Sequence, residues 1–385
     1  MAGARETTDV LVIGAGMVGA ACAYHCAEAG LRVTVVDRGA VAGGTTSGGE
    51  GNILVSDKEP GPELDLALLS IRKWRELGER VGPALLELEA KGGVVVAQNA
   101  ETSAGLAELA KAQRDNGITA HEISPAELAE LEPNLTREVA SGVHYPQDMQ
   151  VQPMLAAAQL LRHSGARVRT GVEVQAVRRN TSGALTGVRT SAGDIAADWV
   201  INAAGTWGGD LASLAGAPVP VLPRKGFVLV TEPLPRVIRH KVYTADYVAN
   251  VASGDAGLET SVVVEGTRAG TVLIGASRER VGFDRRFSLA VLRKLAAQAI
   301  GIFPFLAEVT LLRGYLGFRP YCPDHLPVIG PDPRVPGLVH ACGHEGAGIG
   351  LAAATGHLIA QALTGATPEL DLTPFRPDRF GQEAR

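Results

Sequence analysis

Residues 9–37 read DVLVIGAGMVGAACAYHCAEAGLRVTVVD, and this stretch decides the fold. Residues 9–13 form a short apolar run of the kind buried in a parallel sheet. Gly14-Ala15-Gly16-Met17-Val18-Gly19 follows as a turn that opens a helix running to about Glu28, and residues 32–36 supply the next strand. Together they make one βαβ unit. Gly14 permits the tight turn, Gly16 lets the backbone approach a pyrophosphate, and Gly19 lets the helix sit close on the sheet. The free N–H groups at the helix start, with the positive end of its dipole, suit phosphate. The hexapeptide alone also fits a structural turn. Asp37, however, ends the second strand 23 residues after Gly14, where its carboxylate reaches a ribose hydroxyl. Strand, helix, strand and acid in register point to a bound dinucleotide.

Outward from this unit, residues 39–52 form a loop of small residues placed where ligands dock on such folds. Leu64, Leu68, Ile71 and Leu77 make one helical stripe within 63–80. Ser124, Pro125 and Glu127 form a helix start with a capping box. A helix is expected over 153–163, and strands over 167–170, 172–178 and 195–202. The last of these is apolar nearly throughout, as a central parallel strand must be. From 224 to 319 the texture changes to alternating segments such as GFVLVTE, TSVVVEG and TVLIGA, which read as an antiparallel sheet interrupted by a helix at 288–301. A strand at 337–342, a helix at 346–364 and an extended polar tail at 365–385 complete the chain.

The fold class is therefore α/β. We expect a discontinuous, Rossmann-like nucleotide domain (1–85, 151–218 and 320–385). A mainly antiparallel substrate domain of α+β character (86–150 and 219–319) interrupts it.

With 385 residues, of which 46% are hydrophobic, the chain can bury two ordinary cores. A formal charge of −5 without a basic stripe argues against nucleic acid. Cys22, Cys26, Cys322 and Cys342 are too few for a disulfide scaffold and carry no metal-binding spacing, so we expect no metal and a reducing, cytoplasmic setting. Val10 to Ala29 is mostly apolar but lacks the positive leader of a signal peptide. No other segment is expected to be long enough to span a membrane.

Three further features favour a flavin over a nicotinamide partner: the small-residue loop 43–51, the strand end VINAAGTW at 200–207, and the late turn Cys342-Gly343-His344-Glu345-Gly346-Ala347-Gly348-Ile349-Gly350. Bare N–H groups at a second helix start can hold negative charge at the pyrimidine edge of a reduced flavin. The same turn also reads as simple helix packing.

The pattern GAGMVG, VVDRG, GGTTSGGEGN, VINAAGTW, LGFRP, DHLPVIGP and GHEGAGIGLAAATG, in that order, resembles the D-amino-acid oxidase family of flavoproteins. Within it, PRKGFVLVTE, SRERVGFD and the GHEG turn look most like the flavin subunits of D-hydroxyproline dehydrogenase and of the cyanide synthase. The resemblance implies a glutathione-reductase-type FAD fold and non-covalent FAD. The ADP half would lie on Gly14, Gly16, Met17, Val18, Gly19 and Asp37, with Arg38 near the adenosine. Thr45, Thr46, Ser47, Gly51 and Asn52 would meet the pyrophosphate and flavin, and Val174 the adenine. Ala204, Gly205 and Trp207 would line the channel, and Gly346, Ala347, Gly348 and Ile349 would cap the flavin ring.

Arg319 stands where glycine oxidase-like relatives place the arginine that grips the substrate carboxylate, a task suited to a planar guanidinium; an ordinary surface ion pair is the plain alternative. Gly317 stands about where covalent relatives place the cysteine that bonds the flavin. No lysine appears around residues 265–268, where oxygen-using relatives keep one, so an electron-accepting partner subunit is preferred to O2. His344 invites a general-base role, although histidines in such turns are more often structural. Tyr243 and Tyr247 are candidate carboxylate donors or packing residues. The implied reaction is hydride removal from the α-carbon of a small amino acid: glycine, sarcosine, a D-amino acid, proline or hydroxyproline. A non-catalytic electron-relay subunit and a nicotinamide-dependent reductase are the alternatives.

Overall fold

Two eight-stranded sheets organise the chain. The structure is a computed structural model and describes residues 6–383, without the side chains of 249–252 and 382–383. In the first sheet, Glu6–Ile13 lies between Gly193–Asn202 and Val33–Asp37, parallel to both. Leu338–Cys342 extends it in parallel beyond Gly193–Asn202, and Arg167–Thr170 beyond Val33–Asp37. These strands come from the beginning, middle and end of the sequence. Val10, Leu11 and Val12 are wholly buried, because helices or further strands cover both faces.

The helix Met17–Glu28 packs on this sheet with Cys22 and Cys26 in its core face. Against it lies the closing helix Gly348–Thr364. A Cβ added at Gly356 would stand 2.5 Å from the Ala21 carbonyl oxygen, so the two backbones touch at that point. With its preceding turn, this helix (Glu345–Thr364) is long and apolar enough to cross a membrane by length and composition. That corrects the expectation that no second candidate exists. Here it packs against Met17–Glu28 and Pro62–Val81.

The helix Pro62–Val81 buries Leu64, Ile71 and Leu77 as its stripe requires, but Leu68 is only half-buried. Trp74 fills the face instead, and its Nε1 donates to the Gly350 carbonyl at 3.0 Å. The capping box at Ser124 forms as written: the Glu127 N–H donates to Ser124 Oγ and the Ser124 N–H to Glu127 Oε2.

The second sheet runs in the order Leu311–Tyr321, Leu222–Thr231, Val272–Arg278, Glu259–Gly266, Lys241–Thr244, Gly93–Ala97, Ser141–Tyr145 and His121–Ile123. All its pairs are antiparallel except Lys241–Thr244 with Gly93–Ala97. The helix Leu289–Ile302 covers one face, capped by Ser288. The tail departs from expectation. It is not simply extended: residues 373–375 and 377–383 form short 3-10 turns, and Phe375 is fully buried in the first core. One aromatic side chain outweighs the prolines and polar residues around it.

Candidate active site

The glycine-rich turn forms a cradle that side chains would fill. Gly14 adopts φ 113°, and a Cβ there would stand 2.3 Å from the Ala203 carbonyl oxygen. A Cβ at Gly19 would stand 1.9 Å from the Gly14 carbonyl oxygen, so helix and turn pack without a spacer. The Met17 N–H donates to Thr46 Oγ1 at 2.9 Å, which draws the small-residue loop over the helix start. Asp37 accepts from the Ala15 and Gly39 N–H groups, at 2.8 and 2.7 Å, and so shapes the turn.

The loop then crosses to the second sheet. Thr45 Oγ1 and Thr206 Oγ1 both donate to the Phe318 carbonyl oxygen, at 2.9 and 2.8 Å. Gly48 and Gly317 meet backbone to backbone: a Cβ at Gly317 would stand 2.7 Å from the Gly48 carbonyl oxygen. No side chain fits there without a shift of backbone.

Between the sheets lies a cavity of about 910 Å³, at the upper end of the range for small-molecule sites. Most of the sequence-predicted residues line it: Gly14, Gly16, Met17 and Val18; Asp37 and Arg38; Thr45, Thr46 and Asn52; Val174; Ala204, Gly205 and Trp207; Tyr247, Arg319, His344 and Gly346 to Ile349. Gly19, Ser47, Gly51 and Tyr243 lie outside the lining. Ser47 Oγ turns back to the Gly44 carbonyl, and Gly51 is pressed against Val151. Tyr243 is wholly buried, with its hydroxyl on Ser56 Oγ. Arg38 stacks over the Trp207 ring at 4.3 Å.

Arg319 lies across its own sheet. Its Nη1 donates to the Ser277 carbonyl at 2.8 Å, two strands away. It passes over Gly226, where a Cβ would stand 2.3 Å from that nitrogen. Among the described residues Arg319 has no carboxylate partner. Arg224, opposite it in register, is by contrast neutralised by Glu345 at 2.5 Å and Glu259 at 3.0 Å. Glu345 also binds His325 at 3.0 Å, and that hydrogen bond raises the His325 pKa.

His344 is buried and pushed down to about 3 by loss of water, so its ring is neutral. Thr355 Oγ1 donates to the Leu351 carbonyl, so the contact at 3.0 Å makes His344 Nε2 the donor to that hydroxyl. The turn histidine is thus tied into the closing helix.

Several residues in and around the cavity were not foreseen. Arg278 lines it at 4% exposure. Glu50 lines it too, with its pKa raised mainly by burial. Lys241, from an adjacent strand, is buried with its Nζ on Glu265 Oε2 at 2.9 Å and on Asn52 Oδ1. The stretch 265–268 lacks a lysine, but the fold brings one beside Glu265. Burial opposes its charge, yet Glu265 and Glu50 together hold its pKa above the ordinary value.

The bare cradle at one helix start, the uncapped start of the closing helix and the long cavity between the sheets define a dinucleotide-binding redox protein. The residues present fit FAD: cradle, loop and closing-helix turn all face one continuous space. A family model described as FAD dependent oxidoreductase (DAO) matches residues 9–362. The chain belongs to this family of FAD-dependent oxidoreductases.

It is 30% identical to the hydrogen cyanide synthase subunit HcnC of Pseudomonas aeruginosa, over 98% of each chain. It is also 30% identical to the glycine oxidase of Pseudomonas putida, covering 96% of this chain and 98% of that one. The crystal structure of glycine oxidase from Geobacillus kaustophilus superposes with a TM-score of 0.88 at 26% identity, over 97% of this chain and 99% of that one. The family match sets aside the nicotinamide-dependent alternative.

Proposed function

We propose that this protein oxidises the Cα–N bond of a small amino acid to the imine, with Arg319 holding the substrate carboxylate. The observation that carries the reading is a guanidinium without a carboxylate partner in the same cavity as the dinucleotide cradle. The likeness to glycine oxidases supports the amino-acid class. When bound, FAD supplies the two-electron acceptor that takes hydride from the α-carbon.

The chain's own residues do the rest. Arg319 grips the carboxylate through paired hydrogen bonds and so fixes where the α-carbon stands. Its aim is set by Ser277 and by the gap over Gly226. The enclosed, largely apolar space disfavours an ammonium, so the amine binds with its lone pair free. His344, neutral and engaged with Thr355, needs to move no proton for this. Electrons then pass to a partner protein in preference to oxygen. The likeness to a named subunit supports that route, as does a buried lysine committed to Glu265.

The test is anaerobic mixing of the holoprotein with glycine, sarcosine, D-alanine and both prolines while flavin absorbance is followed. Bleaching by at least one of these is expected. Arg319→Gln should keep its FAD and lose the bleaching. An Arg319→Gln protein that bleaches like the parent would refute the assignment. Repeating the reaction in air tests the acceptor: rapid reoxidation would overturn the partner route.

A further inference from the structure

Arg319 is not the only guanidinium in the cavity that lacks a counter-charge. Arg278 ends the strand Val272–Arg278, one residue beyond the carbonyl that Arg319 grips. It is 4% exposed and lines the cavity, and its Nη1 has no hydrogen-bond partner among the described residues. The guanidinium stands 5.1 Å from the centre of the Tyr247 ring, which seats it without neutralising it. Burial, with repulsion from Arg319 and Arg224, pushes its pKa down.

None of the carboxylates nearby pairs with Arg278 among the described residues. Glu345 is spent on Arg224 and His325. Asp57 and Glu63 share Lys58, at 3.1 and 3.3 Å. Glu50 accepts from Asn52 at 3.2 Å through Oε2 and faces the charges of Lys241 and Arg319; its Oε1 has no hydrogen-bond partner among the described residues, and it makes no ion pair with Arg278. Among the described residues, neither of the two guanidiniums in this part of the cavity makes an ion pair. Burying a cation that deeply without a partner is among the most costly arrangements in a protein. A substrate with one carboxylate satisfies Arg319 and leaves Arg278 as it was.

We propose that Arg278 is a second carboxylate receptor, and that the preferred substrate is an amino- or imino-dicarboxylate held at one end by Arg319 and at the other by Arg278. The inference rests on the amino-acid reading above and narrows it. Tyr247 acts here as the seat of the second arginine, a positioning residue.

Two measurements on the holoprotein test it. In the first, acetate, malonate, succinate and glutarate are titrated against the flavin spectrum, which registers binding without turnover. At least one dicarboxylate should bind about tenfold or more tighter than acetate, as one added charged contact implies. Arg278→Met, similar in length and uncharged, should abolish that margin and leave acetate binding within about threefold. Arg278→Lys, which keeps the charge but loses the fork, should retain part of it. FAD content checks that each variant has folded.

The second measurement is anaerobic flavin reduction by iminodiacetate, D-aspartate and D-glutamate against glycine and sarcosine. A dicarboxylate should give the highest kcat/KM, and Arg278→Met should lower that value alone. Equal binding of acetate and every dicarboxylate overturns the proposal. So does an Arg278→Met protein that weakens all ligands alike, since Arg278 then serves the first carboxylate. Reduction by monocarboxylates alone overturns it while leaving the amino-acid reading intact. If no amino acid of either kind bleaches the flavin, the amino-acid reading falls and this inference with it.

Discussion

Gly226→Ala is the sharpest perturbation available, because it adds one methyl under Arg319 and removes no polar group from the cavity. The added methyl would stand 2.3 Å from Arg319 Nη1 and 2.5 Å from the Ser277 carbonyl oxygen. The first neighbour is the tip of a flexible side chain and moves readily. The second is backbone in the next strand, so the sheet must also give. Overpacking of this kind costs about 1–3 kcal/mol of stability.

The larger effect is expected on binding. Arg319 loses its resting place on Ser277, and a charge-assisted hydrogen bond contributes about 1.5–3 kcal/mol. At about 1.4 kcal/mol per tenfold, substrate should bind roughly 10- to 150-fold more weakly. The assay is the substrate concentration for half-maximal flavin reduction under anaerobic conditions, read beside a thermal melt and the FAD content. Gly254→Ala is the control, since nothing lies within 4 Å of a Cβ there. A Gly226→Ala protein with the parent's half-saturation and melting temperature would refute the claim that Arg319 is aimed across this glycine.

Other outcomes follow from the same contacts. Lys241→Met should destabilise the protein by about 3–5 kcal/mol in denaturant titrations, because it strands the fully buried Glu265; adding Glu265→Gln should recover part of the loss. His344, with its pKa depressed to about 3, binds a proton less readily folded than unfolded, where the value is about 6.5. Stability should therefore fall as pH drops through that window, by up to roughly 5 kcal/mol. His344→Gln should lessen this dependence of melting temperature on pH and leave the share of His25, which burial also depresses to about 3. Gly317→Cys should lower FAD content without tethering the flavin, because the Gly48 backbone already occupies the space; a denaturation-resistant yellow band would contradict this. Gly301→Ala, near the end of Leu289–Ile302 with open space around it, should raise stability by up to about 1 kcal/mol.

What could be read from the sequence was whatever lies close along the chain. The unit from Asp9 to Asp37, the capping box at Ser124 and the alternation after residue 224 each carry their information within a few turns or strands. Arg319 was legible because a local motif surrounds it. Arg278 was not: what makes it unusual is the absence of an ion pair, and its neighbours arrive from residues 224, 247, 319 and 345. Lys241 was missed for the same reason, since its partners Asn52 and Glu265 stand far off in sequence. Tyr243 and Tyr247 looked equivalent by spacing. A strand-to-helix junction between them buries the first behind Ser56 and turns the second into the cavity.

The parallel order of the first sheet bears on how the protein is made. Its central strands are drawn from residues 6–13, 193–202 and 338–342, and the cavity-lining turn Glu345–Ala347 follows the last of these. A ribosome must deliver residues 6 to 342 before those strands can lie side by side. Loading of the yellow prosthetic group must thus await synthesis of this strand, and nascent chains halted before residue 338 should emerge colourless whatever the vitamin supply.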